Sequence, residues 1–300
     1  MKKILVIGST VADVIVNLDV LPKTAEDVHI KSQSVALGGC AHNVSDMIGH
    51  YNVPYDLFSP VGTGIYGDFV RKRLAEKGVT STAPTPDMAN GCCYCFVESS
   101  GERTFIVEHG AEYLFKPEWF SGLKTEDYAS VYVCGLEIEE KTGDVVVDFL
   151  EKSGLPVFFA PGPRLSRIDP SLMERIFALH PILHLNDDEA REYTAAATIE
   201  AAAAILYSRT QAMIVITTGA DGACVYDGSA LTCVPSVKVE HIVDTIGAGD
   251  GHLGTFMANL ALGLDPIAAT AKANAAAAAL VSVQGGYLTP EQFSAAGLRE

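Results

Sequence analysis

From Ser130 onward the chain repeats one unit: a short apolar run closed by a glycine or a polar residue, followed by a helical pattern. SVYVCG precedes TGDVVVDFLEKSG, PVFFA precedes a helix near Ser171 to Leu179, and ILHL precedes DDEAREYT. A further helix, Ile199 to Ser208, leads into AMIVITTG. Short apolar runs bounded by turn residues read as buried strands, and longer segments with a 3.6-residue period as helices. Strands that alternate with helices pair through crossover connections, which run the strands the same way and place helices on both faces. The predicted class is therefore α/β, a doubly wound, mostly parallel sheet flanked by helices.

The N-terminal half carries the same units with interruptions. KILVIG (Lys3 to Gly8) reads as a buried strand, Gly38 and Gly39 open a helix to about His50, and YDLFSPVG is another strand. A helix from Tyr66 to Lys77 is closed by Gly78. Between them, VIVNLDV and VHIKSQSVAL alternate like strands with one exposed face, and CCYCFVES and RTFIVEH form a hairpin around SGE. These pieces are expected to project from the main sheet. The chain ends in a short hairpin (GACVYDG, ALTCVPS), a helix after DTIGAGD, and an alanine-rich helix from Pro266 to Val283. With no linker and no repeat of fixed period, residues 1–300 read as a single domain with strands inserted at about 12–37 and 91–108.

Composition removes several classes of function. The formal charge is -16, from 37 acidic against 21 basic residues. Nucleic acid and anionic membrane surfaces need a basic footprint, so neither is expected as a partner. An anionic small molecule stays open, because charges beyond roughly 8 Å are screened at physiological salt. The seven cysteines are scattered, odd in number and without a paired framework, which points to a reducing cytoplasm. Cys92, Cys93 and Cys95 lack a second ligand pair at zinc-like spacing and read as apolar packing or a sheet interface. The opening run MKKILVIG is broken at Gly8, Ser9 and Asp13, and no apolar run reaches about eighteen residues, so neither a signal peptide nor a membrane span is expected.

Ligands of a parallel sheet bind at the carboxyl ends of its strands, and the polar residues of interest fall there. Asp13 lies past the first strand, Gly38, Gly39 and Asn43 open the next helix, and NDDE (Asn186 to Glu189) follows ILHL. TTGADG (Thr217 to Gly222) follows AMIVI, and DTIGAGD (Asp244 to Asp250) closes the series. Taken singly most have a plain structural reading: Asp13 as a turn residue, Asn186 as an N-cap, TTGADG as a hairpin turn. DTIGAGDG is different, because its three glycines exceed what a helix cap needs. A glycine-led helix start attracts anions through free N–H groups and the positive end of the dipole. No G-x-G-x-x-G follows the first strand, so a dinucleotide-binding dehydrogenase is not supported.

Taken together the segments resemble a family. VIGSTVAD, ALGGCAHNVSDMIGH, VGTGIYGDFVRKRLAEKGV, GERTF, LNDDE, VITTGADGACV and DTIGAGDGHLGTF occur in the order seen in the ribokinase-like (PfkB) carbohydrate kinases, from about Ile4 to Gly286. The resemblance implies an ATP-dependent kinase that phosphorylates a hydroxyl of a sugar or ribosyl compound. It implies Asp250 as catalytic base, with Gly247, Ala248 and Gly249 as an anion hole for the transferred group. Asp13, Gly38, Gly39 and Asn43 match substrate-hydroxyl positions, and Glu137 and Arg103 are weaker candidates that could equally be surface charges. Asn186 and Glu189 match the N-x-x-E element near Mg2+ and its waters. Thr217, Gly219 and Gly222 match the nucleotide-binding turn, and Asn274 lies where the last helices flank adenine. The family also allows a monovalent cation such as K+ at the carbonyls of Asp244, Ile246, Val283 and Gly285. The projecting strands match a lid that closes over the sugar and pairs two copies as a homodimer.

Several positions depart from the family pattern. Cys40 stands where ribose-specific members carry lysine, and Gly64 replaces an acid. APGPR (Ala160 to Arg164) has alanine and glycine where Asp and Asn are common, and His252 and Leu253 stand just past Asp250, where Thr-Phe is commoner. None removes a catalytic group, yet together they leave the sugar unnamed. A nucleoside is the second acceptor class, with Tyr94, Phe96 or Phe105 as an aromatic wall. A silent sugar or nucleotide sensor is the rival outside catalysis.

Overall fold

The structure is a computed structural model, which describes residues 1–299. In chain order the elements are β1 (Lys3–Ile7), β2 (Val11–Leu18), β3 (Ser32–Gly38), α1 (Cys40–His50), β4 (Tyr55–Phe58) and α2 (Gly64–Glu76). There follow β5 (Cys92–Glu98), β6 (Arg103–Glu108), β7 (Tyr128–Cys134), α3 (Gly135–Glu139), α4 (Gly143–Ser153) and β8 (Val157–Ala160). Next come α5 (Pro170–Phe177), β9 (Ile182–Asn186), α6 (Asp187–Thr194), α7 (Ile199–Thr210) and β10 (Ile214–Thr217). The last are β11 (Ala223–Tyr226), β12 (Leu231–Val234), α8 (Ala248–Ala261), α9 (Pro266–Val281) and α10 (Pro290–Ala295).

Eight strands form the main sheet in the order β12-β11-β10-β9-β8-β7-β1-β4. It is parallel from β4 through β10, and β11 and β12 add an antiparallel edge. Alternate residues of each strand feed opposite cores, as a two-residue side-chain period requires. Leu5, Val131, Val133, Phe159, Leu183 and Ile216 point to one side, against α4, α5, α6 and α7. Ile4, Val6, Tyr132, Phe158 and Val215 point to the other, against α1, α2, α8 and α9. Both faces are thus buried, which is why these strands are continuous apolar runs instead of alternating ones.

β2, β3, β5 and β6 form a separate four-stranded sheet in the order β3-β2-β5-β6. The β3 strand begins only at Ser32, so Val28 to Lys31 lie outside it. One expectation is overturned: Cys224 and Cys233 face each other across the β11–β12 hairpin and form a disulfide. Their spacing resembled no framework because hairpin register, not sequence distance, brings them together. Among the described residues no helix is long and apolar enough to cross a membrane.

Candidate active site

All parallel strands of the main sheet end along one edge, and the helices that follow them begin there. The most constrained of these helix starts is that of α8. Gly247, its N-cap, has φ 71°, and a Cβ there would come within 2.7 Å of the Gly286 backbone. Only glycine accepts both the left-handed conformation and that approach. The first amides of α8 have no intrahelical acceptor and point out of the helix end. Gly249 opens onto the cleft, and Asp250 sits in the first turn.

Asp250 Oδ2 accepts a 2.9 Å hydrogen bond from Asn43 Nδ2, supplied by α1. Burial raises the Asp250 carboxyl to about 6, against the opposing effect of its bonds to Asn43 and Cys40. The Asn43 side chain is itself held, since its Oδ1 lies 3.3 Å from His42 Nδ1. Asp13 comes from β2, and burial raises it to about 7. A Cβ on Gly38 would collide with the Asp13 carboxylate, so glycine at that position is required for Asp13 to be where it is.

Glu137 is 0% exposed, which removes the surface-charge reading. Its Oε1 accepts the Ser9 N–H at 2.8 Å, its Oε2 has no partner, and burial raises it to about 7. Its chain neighbour Leu136 lines the cleft, and Glu137 itself does not. Arg103 is no free surface charge either, because it pairs with Asp244 at 2.6 Å.

Asn186 and Glu189 form a reciprocal capping box at the start of α6. Asn186 Oδ1 accepts from Glu189 N–H at 2.8 Å, and Glu189 Oε2 accepts from Asn186 N–H at 2.9 Å. The N-cap reading is therefore correct as local structure, yet both residues also line the cleft. Burial raises the Glu189 carboxyl.

Three cavities run in series along the strand ends. The first, about 300 Å³, is lined by Asp13, Gly39, Cys40, Cys93, Phe105 and Arg164, among others. The second, about 510 Å³, shares Cys40, Phe105 and Arg164 with it and adds Asn186, Glu189, Gly247 and Asp250. The third, also about 510 Å³, shares Thr217 and Gly249 with the second and is walled by Gly219, Gly222, His252, Asn274 and Ala278. Asp250 belongs to the middle cavity. Asp244, Ile246, Val283 and Gly285 line none of the three, though Asp244 Oδ2 accepts the Gly285 N–H at 3.0 Å and so ties those two segments together.

The sequence reading missed a buried chain of polar groups beneath α8. Asn274 Nδ2 donates to the carbonyls of Val234 and Pro235, at 2.9 and 3.2 Å. Its Oδ1 faces His252 Nε2 at 3.2 Å, and His252 Nδ1 faces His184 Nε2 at 2.8 Å. Burial holds both imidazoles neutral: His252 falls to about 4 and His184 well below its ordinary value. The two carbonyls orient the amide, so His252 donates from Nε2 and accepts at Nδ1 from His184 Nε2–H. The amide of Asn274 is thereby spent on protein partners, and Asn274 meets the third cavity as a wall. His184 carried no readable signal, being a polar residue inside an apolar strand. Arg164 lay in APGPR, a loop at a strand end, and could have been singled out on that ground.

Residues 1–292 match the model of the pfkB family of carbohydrate kinases. The chain belongs to that family. A relative within it, the uncharacterized sugar kinase YegV of Escherichia coli (strain K12), is 31% identical over 294 residues, covering 96% of this chain and 91% of that one. The mouse (Mus musculus) ribokinase is 27% identical over 268 residues, covering 86% of this chain and 81% of that one. The ribokinase of Thermotoga maritima has the same fold, with a TM-score of 0.86 at 21% identity over 99% of both chains. The ribokinase-like architecture and the pfkB kinase class are thus those expected from the ordered motifs.

Proposed function

We propose that this pfkB kinase transfers the γ-phosphoryl group of ATP to a hydroxyl of an uncharged sugar or ribosyl compound, with Asp250 as the base. The observation that carries the reading is the position of Asp250: in the middle cavity, beside the glycine-led start of α8, between an acidic cavity and an apolar one. Transfer of a phosphoryl group gathers charge on its oxygens, and preoriented amides at Gly247 to Asp250 offset that charge without reorganisation. Asn43 holds the Asp250 carboxylate in place for the attacking hydroxyl. ATP fits the third cavity, with Gly219 and Gly222 shaping its turn and Ala278 offering an apolar face to adenine.

Magnesium would supply charge neutralisation at the phosphates. Glu189 fits that duty, because one carboxylate oxygen is used by the Asn186 amide and the other accepts no hydrogen bond among the described residues. A potassium ion at the carbonyls of Asp244, Ile246, Val283 and Gly285 belongs to the same proposal, supported by the tie between their two segments.

The acceptor is assigned as uncharged from the first cavity's electrostatics. Asp13 and Glu108 line it, while its bases are already engaged, Arg164 with Glu139 at 3.1 Å and His109 with Glu140. A sugar acid or sugar phosphate would meet carboxylates without a free cation. A neighbour of the same fold, Arabidopsis thaliana ribokinase, was solved in complex with ribose and ATP, which supports this reading. A nucleoside is the second reading. Phe105 lines the cavity, but Tyr94 and Phe96 stack on each other and pack into the core; of those three only Phe105 is available, with Tyr113 as a further aromatic in the lining.

The deciding experiment is a coupled ADP-release screen over pentoses, hexoses, sugar acids, sugar phosphates and nucleosides. Release with neutral sugars is expected. A preference for phosphorylated or acidic acceptors would overturn the assignment, and ATP binding with no release from any acceptor would leave a sensor.

A further inference from the structure

Asp244 lies ahead of Asp250 in the loop that enters α8, and it is 5% exposed. Its carboxylate gathers three donors from three parts of the chain. Oδ1 accepts the Ile246 N–H at 2.8 Å and Arg103 Nη1 at 2.6 Å, and Oδ2 accepts the Gly285 N–H at 3.0 Å. Ile246 precedes Gly247 directly, and Gly285 precedes the Gly286 backbone on which Gly247 packs. Arg103 arrives from β6, the edge strand of the small sheet.

The strand period says what else that edge does. Arg103, Phe105 and Val107 share one face of β6. Phe105 lines the first and second cavities, and Val107 lines the first. The face that roofs the acceptor cavity is thus the face that reaches Asp244.

We propose that the Arg103–Asp244 ion pair is a latch: it fastens β6 over the acceptor cavity to the loop that forms the start of α8, so that closing the lid and ordering the Gly247 to Asp250 amides are one event. Both residues are positioning residues. Opening the lid leaves a nearly buried carboxylate with two neutral amide donors and no cationic side chain. A buried charge stripped of its partner is strongly unfavourable, so the lid is held shut and the loop ordered together. Closing by the same contact excludes water from the acceptor side once the amides are in place. The catalytic consequence rests on the kinase reading, but the mechanical coupling does not.

The test is therefore hydrogen exchange on the full chain without ligands, followed by mass spectrometry. Arg103→Ala should speed exchange not only across 103–108 but also at the hydrogen-bonded amides of Asp244, Ile246 and Gly285, by about tenfold at each. Asp244→Asn should do the same at the lid end, and Arg103→Lys should restore most of the protection at both. An effect confined to the mutated end in either variant overturns the latch. Arg103→Ala sits on an exposed strand edge and is expected to fold; if Asp244→Asn does not, the two Arg103 variants alone decide. With ATP, magnesium and the neutral sugar that releases ADP fastest, Arg103→Ala should also lower the phosphorylated sugar formed per ADP released. Failure of the kinase reading would remove that second readout and leave the exchange result standing.

Discussion

As the proposed base, Asp250 would have to be ionised to accept a proton, yet it sits where burial raises its carboxyl to about 6. The protonated form cannot act as base, so kcat/KM in the free enzyme should fall below about pH 6, close to tenfold per unit, and level off above it. A pH–rate profile checks this. Asp250→Asn keeps an oxygen for Asn43 and should lower turnover by roughly 10²–10⁴ with little change in thermal midpoint. Glu137 poses the opposite balance. Its folded value of about 7 exceeds the ordinary 4.5 of a glutamate carboxyl, so its contribution to stability is full below 4.5 and is lost as pH rises through 7. Glu137→Gln removes that penalty. The Tm of the variant relative to the parent should climb as pH is raised from about 4.5 to about 8, measured by calorimetry. The candidate site at Gly247, Gly249 and Asp250 was legible because a glycine-led helix start is local in sequence. Glu137 was ambiguous because only packing tells a buried carboxylate from a surface one.

At the scale of elements, α8 carries the site, and what holds it in register lies on other elements. The chain from His184 in β9 through His252 in α8 to Asn274 in α9 braces the helix against the sheet and against the backbone at Val234 and Pro235. His252→Phe fills a similar volume but leaves His184 and Asn274 each short of a buried partner, costing about 1–3 kcal/mol. The wall of the third cavity should loosen, raising KM for ATP about tenfold with KM for the acceptor unchanged, as steady-state kinetics would show. Strands and helices themselves were read well from period and punctuation, with ends shifted by a few residues, as at α9, which closes at Val281. The Cys224–Cys233 pair was not legible, since register is set by the hairpin turn and its neighbours.

Across the whole molecule the small sheet is the feature that water does not suit. On its edge strand Phe105 is 52%, Ile106 57% and Val107 49% exposed, and Val35 on β3 is 40% exposed. An apolar strand edge with unpaired backbone groups is a template for another strand. A homodimer through these strands is the expected state. Sedimentation at tens of micromolar should find it, and Ile106→Lys, which places a charge on the face away from the cavity, should shift the protein to monomer. A parent protein that sediments as a monomer would count against the pairing.

The sequence by itself determined the alternation of strands and helices, the edge of the sheet along which the cavities lie, and the glycine-led helix start with its carboxylate. Each depends on residues near one another in the chain, where period, φ preference and the helix dipole act. Tertiary structure alone decided that Glu137 is buried, that Asn186 and Glu189 line the cleft as well as capping α6, that His184 joins His252, and that Arg103 reaches Asp244. Those facts depend on which distant side chains exclude water around a charge or an amide. Burial and pairing are properties of the packed molecule, and no spacing along the chain encodes them.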